Sequence, residues 1–393
     1  MPDGSREHDV VVFGATGFTG ELTAEYFARH ADGTRWALAG RNAAKLAAVR
    51  ERLAGIDPAA STIPLLTADI GEPAAMRRLA ESAKVVITTV GPYIHYGEPL
   101  VAACAAAGTD YVDLTGEPEF VDLMWLRYHG QAEKTGARLV HSCGFDSIPY
   151  DLGALFTVDR LPEGVPITLE GFVRAGGTFS GGTYHSALHV MGRLRQGRQV
   201  AAQRKRLEVG LAGRRVRGLT PRPRHDDVAG GWLIPAPTID PITVLRSARA
   251  LDRYGPDFAY GHYIAVTRLP VAAGLAVGAG ALVTLAQLPL ARRALLTLKD
   301  PGDGPTPQQR AKAWFRVRFL GRTEDRRIVT EVAGGDPGYG ETSKMLAESA
   351  LCLAHDDLPQ RAGQLTPAVA MGQALIDRLE RAGIAFRTVE GPH

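Results

Sequence analysis

The sequence predicts an α/β chain: a doubly wound parallel sheet of the Rossmann type, followed by a second α/β domain whose sheet is mostly antiparallel. Three observations predict it. Six apolar strand-like segments alternate with helical ones over the first 150 residues. A glycine-rich turn sits at the first strand-to-helix junction. After Pro166 the pattern changes, and Ile167–Val173 alternates as a half-buried strand does.

The chain has 393 residues, too many for one ordinary core, so two domains are expected. Composition is that of a globular protein, 45% hydrophobic and 22% charged, and the net charge of +3 is too small to argue for nucleic acid. Three widely spaced cysteines, Cys104, Cys143 and Cys352, suggest neither a disulfide framework nor a zinc site, and no metal is expected. The polar start, with charges of both signs, is unlike a secretory signal, which makes the cytoplasm the expected compartment.

In chain order, Val10–Phe13 reads as a buried strand and Glu21–Ala28 as a helix. Between them lies Gly14-Ala15-Thr16-Gly17-Phe18-Thr19-Gly20, with glycines at spacing three. Gly14 would permit the tight turn, Gly17 the close approach of a pyrophosphate, and Gly20 close packing of helix on sheet. The free N–H groups and positive dipole end of the helix would draw the phosphates. Thr16, Phe18 and Thr19 then border the cofactor. The spacing is GxxGxxG rather than GxGxxG, and an empty glycine turn is the plainer alternative.

Trp36–Gly40 reads as the second strand. An Asp or Glu after it would accept from a free ribose hydroxyl. The chain has Arg41 and Asn42 instead, with Lys45 one turn later. A guanidinium can fork onto a 2′-phosphate, so NADP(H) is expected over NAD(H). The third strand, Ile63–Asp69, places Asp69 and Ile70 as adenine neighbours, with Asp69 equally suited to cap the next helix. The fourth strand, Lys84–Val90, ends in Gly91-Pro92-Tyr93, so Thr89, Val90, Gly91, Pro92 and Tyr93 should border ribose and nicotinamide. Pro99–Ala107 is an apolar helix that makes Cys104 an inert core residue. A fifth strand, 111–117, a helix, Glu119–Thr135, and a sixth strand, Arg138–Ser142, lead to a turn with Cys143 and Gly144 near the cofactor.

The runs Phe13–Gly20, Ala39–Asn42, Gly91-Pro92-Tyr93 with Tyr96-Gly97, Tyr111–Glu117, Gly144–Pro149 and Gly363–Ala368 together resemble the saccharopine dehydrogenase family. The chain is most similar to the saccharopine-dehydrogenase-like oxidoreductases, among them the actinobacterial trans-acting enoyl reductases. The resemblance covers nearly the whole chain and is densest over the first 150 residues. It implies an NADP-binding domain over 1–150, a second domain over 151–338, and terminal helices over 339–393 returning to the first. It also implies hydride transfer to a carbon–carbon double bond of an acyl or polyketide chain on a carrier protein. It carries over no identified catalytic residue.

From position at strand ends, Tyr93, Tyr96 and His141 are candidate proton donors, with Asp146 to orient or accept. Each would otherwise simply line a pocket. No Tyr is followed four residues later by Lys, which counts against short-chain dehydrogenase chemistry. Saccharopine-type amino acid dehydrogenation is one alternative, since Arg174 and the basic stretch could receive several carboxylates. A non-catalytic NADP-binding redox sensor or lipid-associated scaffold is another.

In the second half, the glycines of 176–183 precede a helix, Tyr184–Leu194, and would let backbone pass close to a substrate or cofactor. Basic residues crowd 193–224, either as a solvated face or as a docking surface for an acidic carrier protein. Leu269–Ala291 lacks any charge and is bracketed by Arg268 and Arg292-Arg293. It reaches the roughly 20 residues needed to span a bilayer. A spanning helix, an interfacial hairpin giving peripheral membrane association, and a buried helix or homodimer contact are all compatible with it. A loop over 300–307, a hairpin of Ala313–Leu320 with Ile328–Val332, and helices Tyr339–Ala354 and Pro367–Ala382 complete the chain.

Overall fold

The structure, a computed structural model, describes residues 6–31, 33–176, 181–211, 213–236, 238–297 and 305–391. It divides into two compact units, residues 1–145 with 339–378, and residues 146–338 with 379–393.

The first unit opens β1 (His8–Phe13), α1 (Phe18–His30), β2 (Trp36–Gly40), α2 (Ala43–Ala54), β3 (Leu65–Thr67), α3 (Pro73–Ser82) and β4 (Ala83–Thr88). A single turn, α4 (Tyr93–Tyr96), precedes α5 (Glu98–Ala107), β5 (Asp110–Asp113), α6 (Pro118–Thr135) and β6 (Arg138–Val140). The solid Val and Ile runs of β1 and β4 are fully buried, as strands covered on both faces must be. Cys104 is a core residue of α5, and burial pushes its thiol up, away from reactivity.

The second unit begins with α7 (Ile148–Val158), β7 (Ile167–Gly176), α8 (Gly181–Gly192), α9 (Leu194–Leu207), β8 (Arg215–Gly218), β9 (Arg224–Asp226) and β10 (Gly231–Pro235). It continues through α10 (Asp240–Ala250), β11 (Asp257–Val266), α11 (Leu269–Ala286), α12 (Pro289–Leu296), α13 (Pro307–Ala311), β12 (Trp314–Arg322) and β13 (Arg327–Gly334). Its eight-stranded sheet runs β15-β13-β12-β7-β11-β10-β9, with β8 also on β11 and β15 spanning Ala385–Glu390. The β11 pairings with β7 and β8 are parallel and the other five antiparallel. Helix α7 packs on one face, where Gly153 leaves no room for a Cβ beside Phe319 and Val332. On the other face Phe172, Leu233, Tyr263, Leu320 and Val329 form a core cluster.

The chain then returns to the first unit with α14 (Gly340–His355), β14 (Gly363–Leu365), α15 (Pro367–Ala370) and α16 (Gly372–Arg381). Helix α14 packs against α1, β4 and β5, and β14 adds a seventh strand, which the sequence reading lacks. The sheet order is β3-β2-β1-β4-β5-β6-β14, every pair parallel.

Three expectations need correction. Everything after residue 339 was expected to return to the first unit, but 379–393 belongs to the second, because β15 pairs with β13. The single helix over Pro367–Ala382 is two, since Gly372 takes a left-handed φ of 48° and breaks it. The basic stretch 193–224 is not one solvated face. Arg204 is buried against Glu208, and Arg214 donates to the carbonyls of Ala248, Leu251 and Gly255, while Arg195, Lys205, Arg206 and Arg215 are exposed.

Candidate functional site

The parallel register of the first unit aligns its strand ends. Phe13 pairs with Ala39 and Thr88, Gly40 with Thr67, and Thr88 with Asp113. The residues that follow each strand therefore emerge along one edge, where open α/β sheets take their ligands.

At the centre of that edge, Gly14 takes a left-handed φ of 87°, and a Cβ there would lie 2.7 Å from Thr89 Oγ1. The Thr89 hydroxyl donates to the Gly14 carbonyl at 3.1 Å, tying the turn to the end of β4. A Cβ on Gly20 would run into that same carbonyl. Gly17 is the N-cap of α1 and offers no side chain to the helix end, and apart from the Gly14 oxygen at 3.5 Å nothing crowds the place of its missing Cβ. Thr16, Phe18 and Thr19 keep accessible surface beside it. The turn thus has the shape that lets an anion reach backbone N–H groups at a helix start. A brace that sequence reasoning missed comes from α14. The Tyr339 ring meets Phe18 edge-on at 4.6 Å, Ser343 Oγ donates to the Thr19 carbonyl at 3.4 Å, and Thr342 Oγ1 accepts from the Phe145 N–H at 3.1 Å.

At the end of β2, Arg41 and Lys45 are both exposed. Asn42 has a structural task, since its Oδ1 accepts the Lys45 N–H at 2.9 Å and caps α2. At the end of β3, Asp69 closes a local turn by accepting the Gly71 N–H at 2.8 Å. The cap position of α3 is Glu72, so the capping alternative for Asp69 does not hold. Ile70 beside it is half-buried. After β4, Thr89, Val90, Gly91 and Pro92 are all at least partly accessible, and the Gly91–Pro92 peptide is cis.

The four candidate proton carriers separate sharply. Tyr93 is buried. Its hydroxyl donates to the Thr88 carbonyl at 3.1 Å and accepts the Leu114 N–H at 3.2 Å, and burial, with Asp113 nearby, pushes its pKa well above the usual phenol value. The Tyr93 and Ile94 N–H groups both donate to the Glu117 carboxylate at 2.9 Å, so a buried acid from the turn after β5 caps α4. Burial raises the Glu117 pKa, and those two N–H groups oppose the rise. His141 is likewise buried, its Nδ1 2.7 Å from Asp113 Oδ2. Asp113 also accepts from the Tyr111 hydroxyl and from the Ser142 and Thr115 N–H groups, which makes it the hub of the β5 and β6 ends. Cys143 and Gly144 are buried in the same turn, where a Cβ on Gly144 would lie 2.7 Å from Leu114. Tyr96, by contrast, is 46% exposed. Asp146 is exposed and belongs to the second unit, where burial and then the Asp146 charge push the Asp240 carboxyl well above the usual range. Of the glycine run expected to approach a substrate or cofactor, residues 177–180 lie outside the described residues.

Glu117, Asp113 and the α14 residues carry no local signal of their roles, because each acts on a segment at least 20 residues away or, for Asp113, through a turn that exists only once β5 and β6 pair.

Comparison with known proteins agrees with this geometry. Residues 10–140 match the saccharopine dehydrogenase NADP binding domain. A Mycobacterium tuberculosis (strain ATCC 25618 / H37Rv) protein named as a trans-acting enoyl reductase is 42% identical, with 98% of each chain covered. The trans-acting enoyl reductase of Mycobacterium ulcerans (strain Agy99) is 36% identical over 98% of both chains. Among solved structures, apo saccharopine dehydrogenase (L-Glu forming) from Saccharomyces cerevisiae aligns with a TM-score of 0.56 at 12% identity, over 97% of this chain and 100% of that one, a likeness of fold.

Proposed function

Since the chain belongs to the saccharopine dehydrogenase family, in its trans-acting enoyl reductase branch, we propose that it reduces a carbon–carbon double bond of an acyl or polyketide chain with NADPH as reductant. The observation that carries the reading is the turn between β1 and α1. Gly14 and Gly20 there admit no side chain, Gly17 leaves the helix start open, and the exposed Arg41 stands at the end of the neighbouring strand.

When bound, the reduced nicotinamide supplies the hydride for one carbon of the double bond, and the other carbon takes a proton. The chain's own residues hold the dinucleotide and deliver that proton. The N–H groups at the start of α1 receive the pyrophosphate, with Thr16 to Thr19 around it. Arg41 and Lys45 receive the 2′-phosphate, Arg41 by its planar fork of donors. Asp69 and Ile70 flank the adenine, and Thr89 to Pro92 flank the nicotinamide ribose. Tyr93, with both its hydroxyl lone pair and its proton engaged, holds the β4 turn in shape. Tyr96, accessible on the same short helix, is the residue we assign to proton delivery. The acyl chain arrives on a carrier protein, for which the exposed basic residues Lys205, Arg206 and Arg215 offer an electrostatic complement.

The test is calorimetric titration of NADPH and NADH into wild type and Arg41→Ala, followed by NADPH oxidation with a panel of enoyl thioesters. Tight NADPH binding that Arg41→Ala weakens about 10- to 100-fold, with NADH unaffected, and turnover of at least one thioester are expected. Equal binding of both dinucleotides would remove the role of Arg41. Absence of binding would overturn the reading altogether.

A further inference from the structure

The uncharged stretch after Arg268 folds as α11 and the start of α12, and α11 is almost wholly uncovered. Helix α11 has 18 residues without a charge, and only Ala272 and Ala286 of those described are buried. Val277 is 74% and Leu290 79% exposed, and Leu269, Val271, Leu275 and Leu288 are about half exposed. Scattered apolar side chains on a surface need no explanation, but a continuous apolar helix of this length does.

The surroundings of this patch are basic. Arg268 precedes α11, and Arg292 and Arg293 lie on α12, with the Arg292 guanidinium against Gly192 at the end of α8. Gln287, just past α11, donates to the Met191 carbonyl, fastening this end to the last turn of α8, next to the start of α9. There an open groove of about 460 Å³ is lined by Leu194, Arg195, Arg198, Gln199, Ala202 and Gln287. Among the described residues, no carboxylate is ion-paired with Arg195, Arg198, Arg268, Arg292 or Arg293. An apolar body rimmed by unpaired cations matches the two layers of an anionic lipid surface, hydrocarbon below and phosphate at the rim. An acidic protein would match the rim but not the uncharged helix.

We propose that α11 and α12 form a membrane-docking element that inserts into one leaflet of a bilayer containing anionic lipid, with Arg195, Arg198, Arg268, Arg292 and Arg293 engaging the headgroup phosphates. The axis of α11, about 27 Å long at 1.5 Å per residue, lies along the interface rather than across it, because both chain continuations lead back into the same sheet-bearing unit.

The experiment is flotation of the purified full-length protein with vesicles of phosphatidylcholine alone and of phosphatidylcholine with phosphatidylglycerol, at low and high salt. The expected result is binding to the anionic vesicles that weakens at high salt. Val277→Asp with Leu290→Asp should abolish it. Arg292→Glu with Arg293→Glu should reduce it by at least about tenfold, given roughly fivefold per lost charge. Unchanged thermal unfolding and circular dichroism check that the variants are folded, and the lipid and salt dependence of wild type tests the idea without any variant. Failure of the wild-type protein to float with anionic vesicles overturns the proposal. So does binding that ignores lipid charge, or an apolar face covered by a second copy, seen as a dimer that Val277→Asp dissociates while vesicles remain unbound.

Discussion

His141 and Asp113 form a buried pair, Nδ1 to Oδ2 at 2.7 Å, on which the ends of two neighbouring strands converge. With the Tyr111 hydroxyl and the Ser142 and Thr115 N–H groups on the same carboxylate, Asp113 satisfies four donors at once. Asp113→Asn replaces one acceptor oxygen by a donor facing donors. It should destabilise the protein by about 3 kcal/mol, read as a lower denaturant midpoint with an unchanged slope.

Tyr93 and Tyr96 lie on one short helix but should respond oppositely to loss of the hydroxyl. Tyr93→Phe leaves the Leu114 N–H without its partner in a buried place and should cost about 1–3 kcal/mol of stability. Tyr96→Phe should leave stability within about 0.5 kcal/mol. It should lower kcat about 100-fold or more with KM little changed, if Tyr96 delivers the proton as proposed. A Tyr96→Phe enzyme with wild-type kcat would move that role elsewhere.

Gly20→Ala forces a methyl group onto the Gly14 carbonyl, which Thr89 also holds. Either the turn or the start of α1 must shift. NADPH affinity should fall by more than tenfold, and a drop in melting temperature should accompany it. Gly17→Ala adds its methyl at ordinary contact distance from the Gly14 carbonyl, without a clash, and toward the expected phosphate position. It should weaken cofactor binding without the drop in melting temperature, and paired calorimetry and thermal scans distinguish the two variants.

His262 gives a pH signature. Burial lowers its pKa to about 3, against an unfolded value near 6.5. Between those values the unfolded chain binds a proton that the native ring does not. Stability from this group is therefore complete above about pH 6.5 and is lost as pH falls toward 3, by up to about 1.4 kcal/mol per pH unit. Asp9 acts in the same direction at lower pH. Burial raises its pKa, but hydrogen bonds from Arg35 and Lys84 outweigh that and hold it well below the usual carboxylate range. Denaturation midpoints from pH 4 to pH 7 should show the His262 slope in wild type and a shallower one in His262→Gln.

The parallel sheet and its glycine turn were legible because their signals are local. Val10–Val12 and Val85–Ile87 are unbroken β-branched runs, and Gly14, Gly17 and Gly20 lie within one turn of each other. The seventh strand was not legible, since Gly363-Gln364-Leu365 has neither length nor pattern and becomes a strand only by lying against β6. Apolar composition also fails to distinguish opposite fates. Every residue of α7 is buried, whereas α11, of similar character, is almost wholly exposed. The candidate site shows the same division. Arg41 is recognisable from its place after a strand, but the separation of Tyr93 from Tyr96 depends on Glu117 and Leu114, more than 15 residues further along.

The path of the backbone has a consequence for how the protein is made. As the chain leaves the ribosome, the dinucleotide-binding sheet emerges first, with six of its strands complete at Val140. Its seventh strand and the α14 brace are not synthesised until after about two hundred residues of the other unit. Until then β6 is an open edge and the apolar side that α14 covers faces solvent, the state in which a nascent chain most readily aggregates or recruits a chaperone. A fragment ending near residue 150 would halt the protein in that state permanently, and a stable cofactor-binding fragment would have to splice 339–378 onto 1–145.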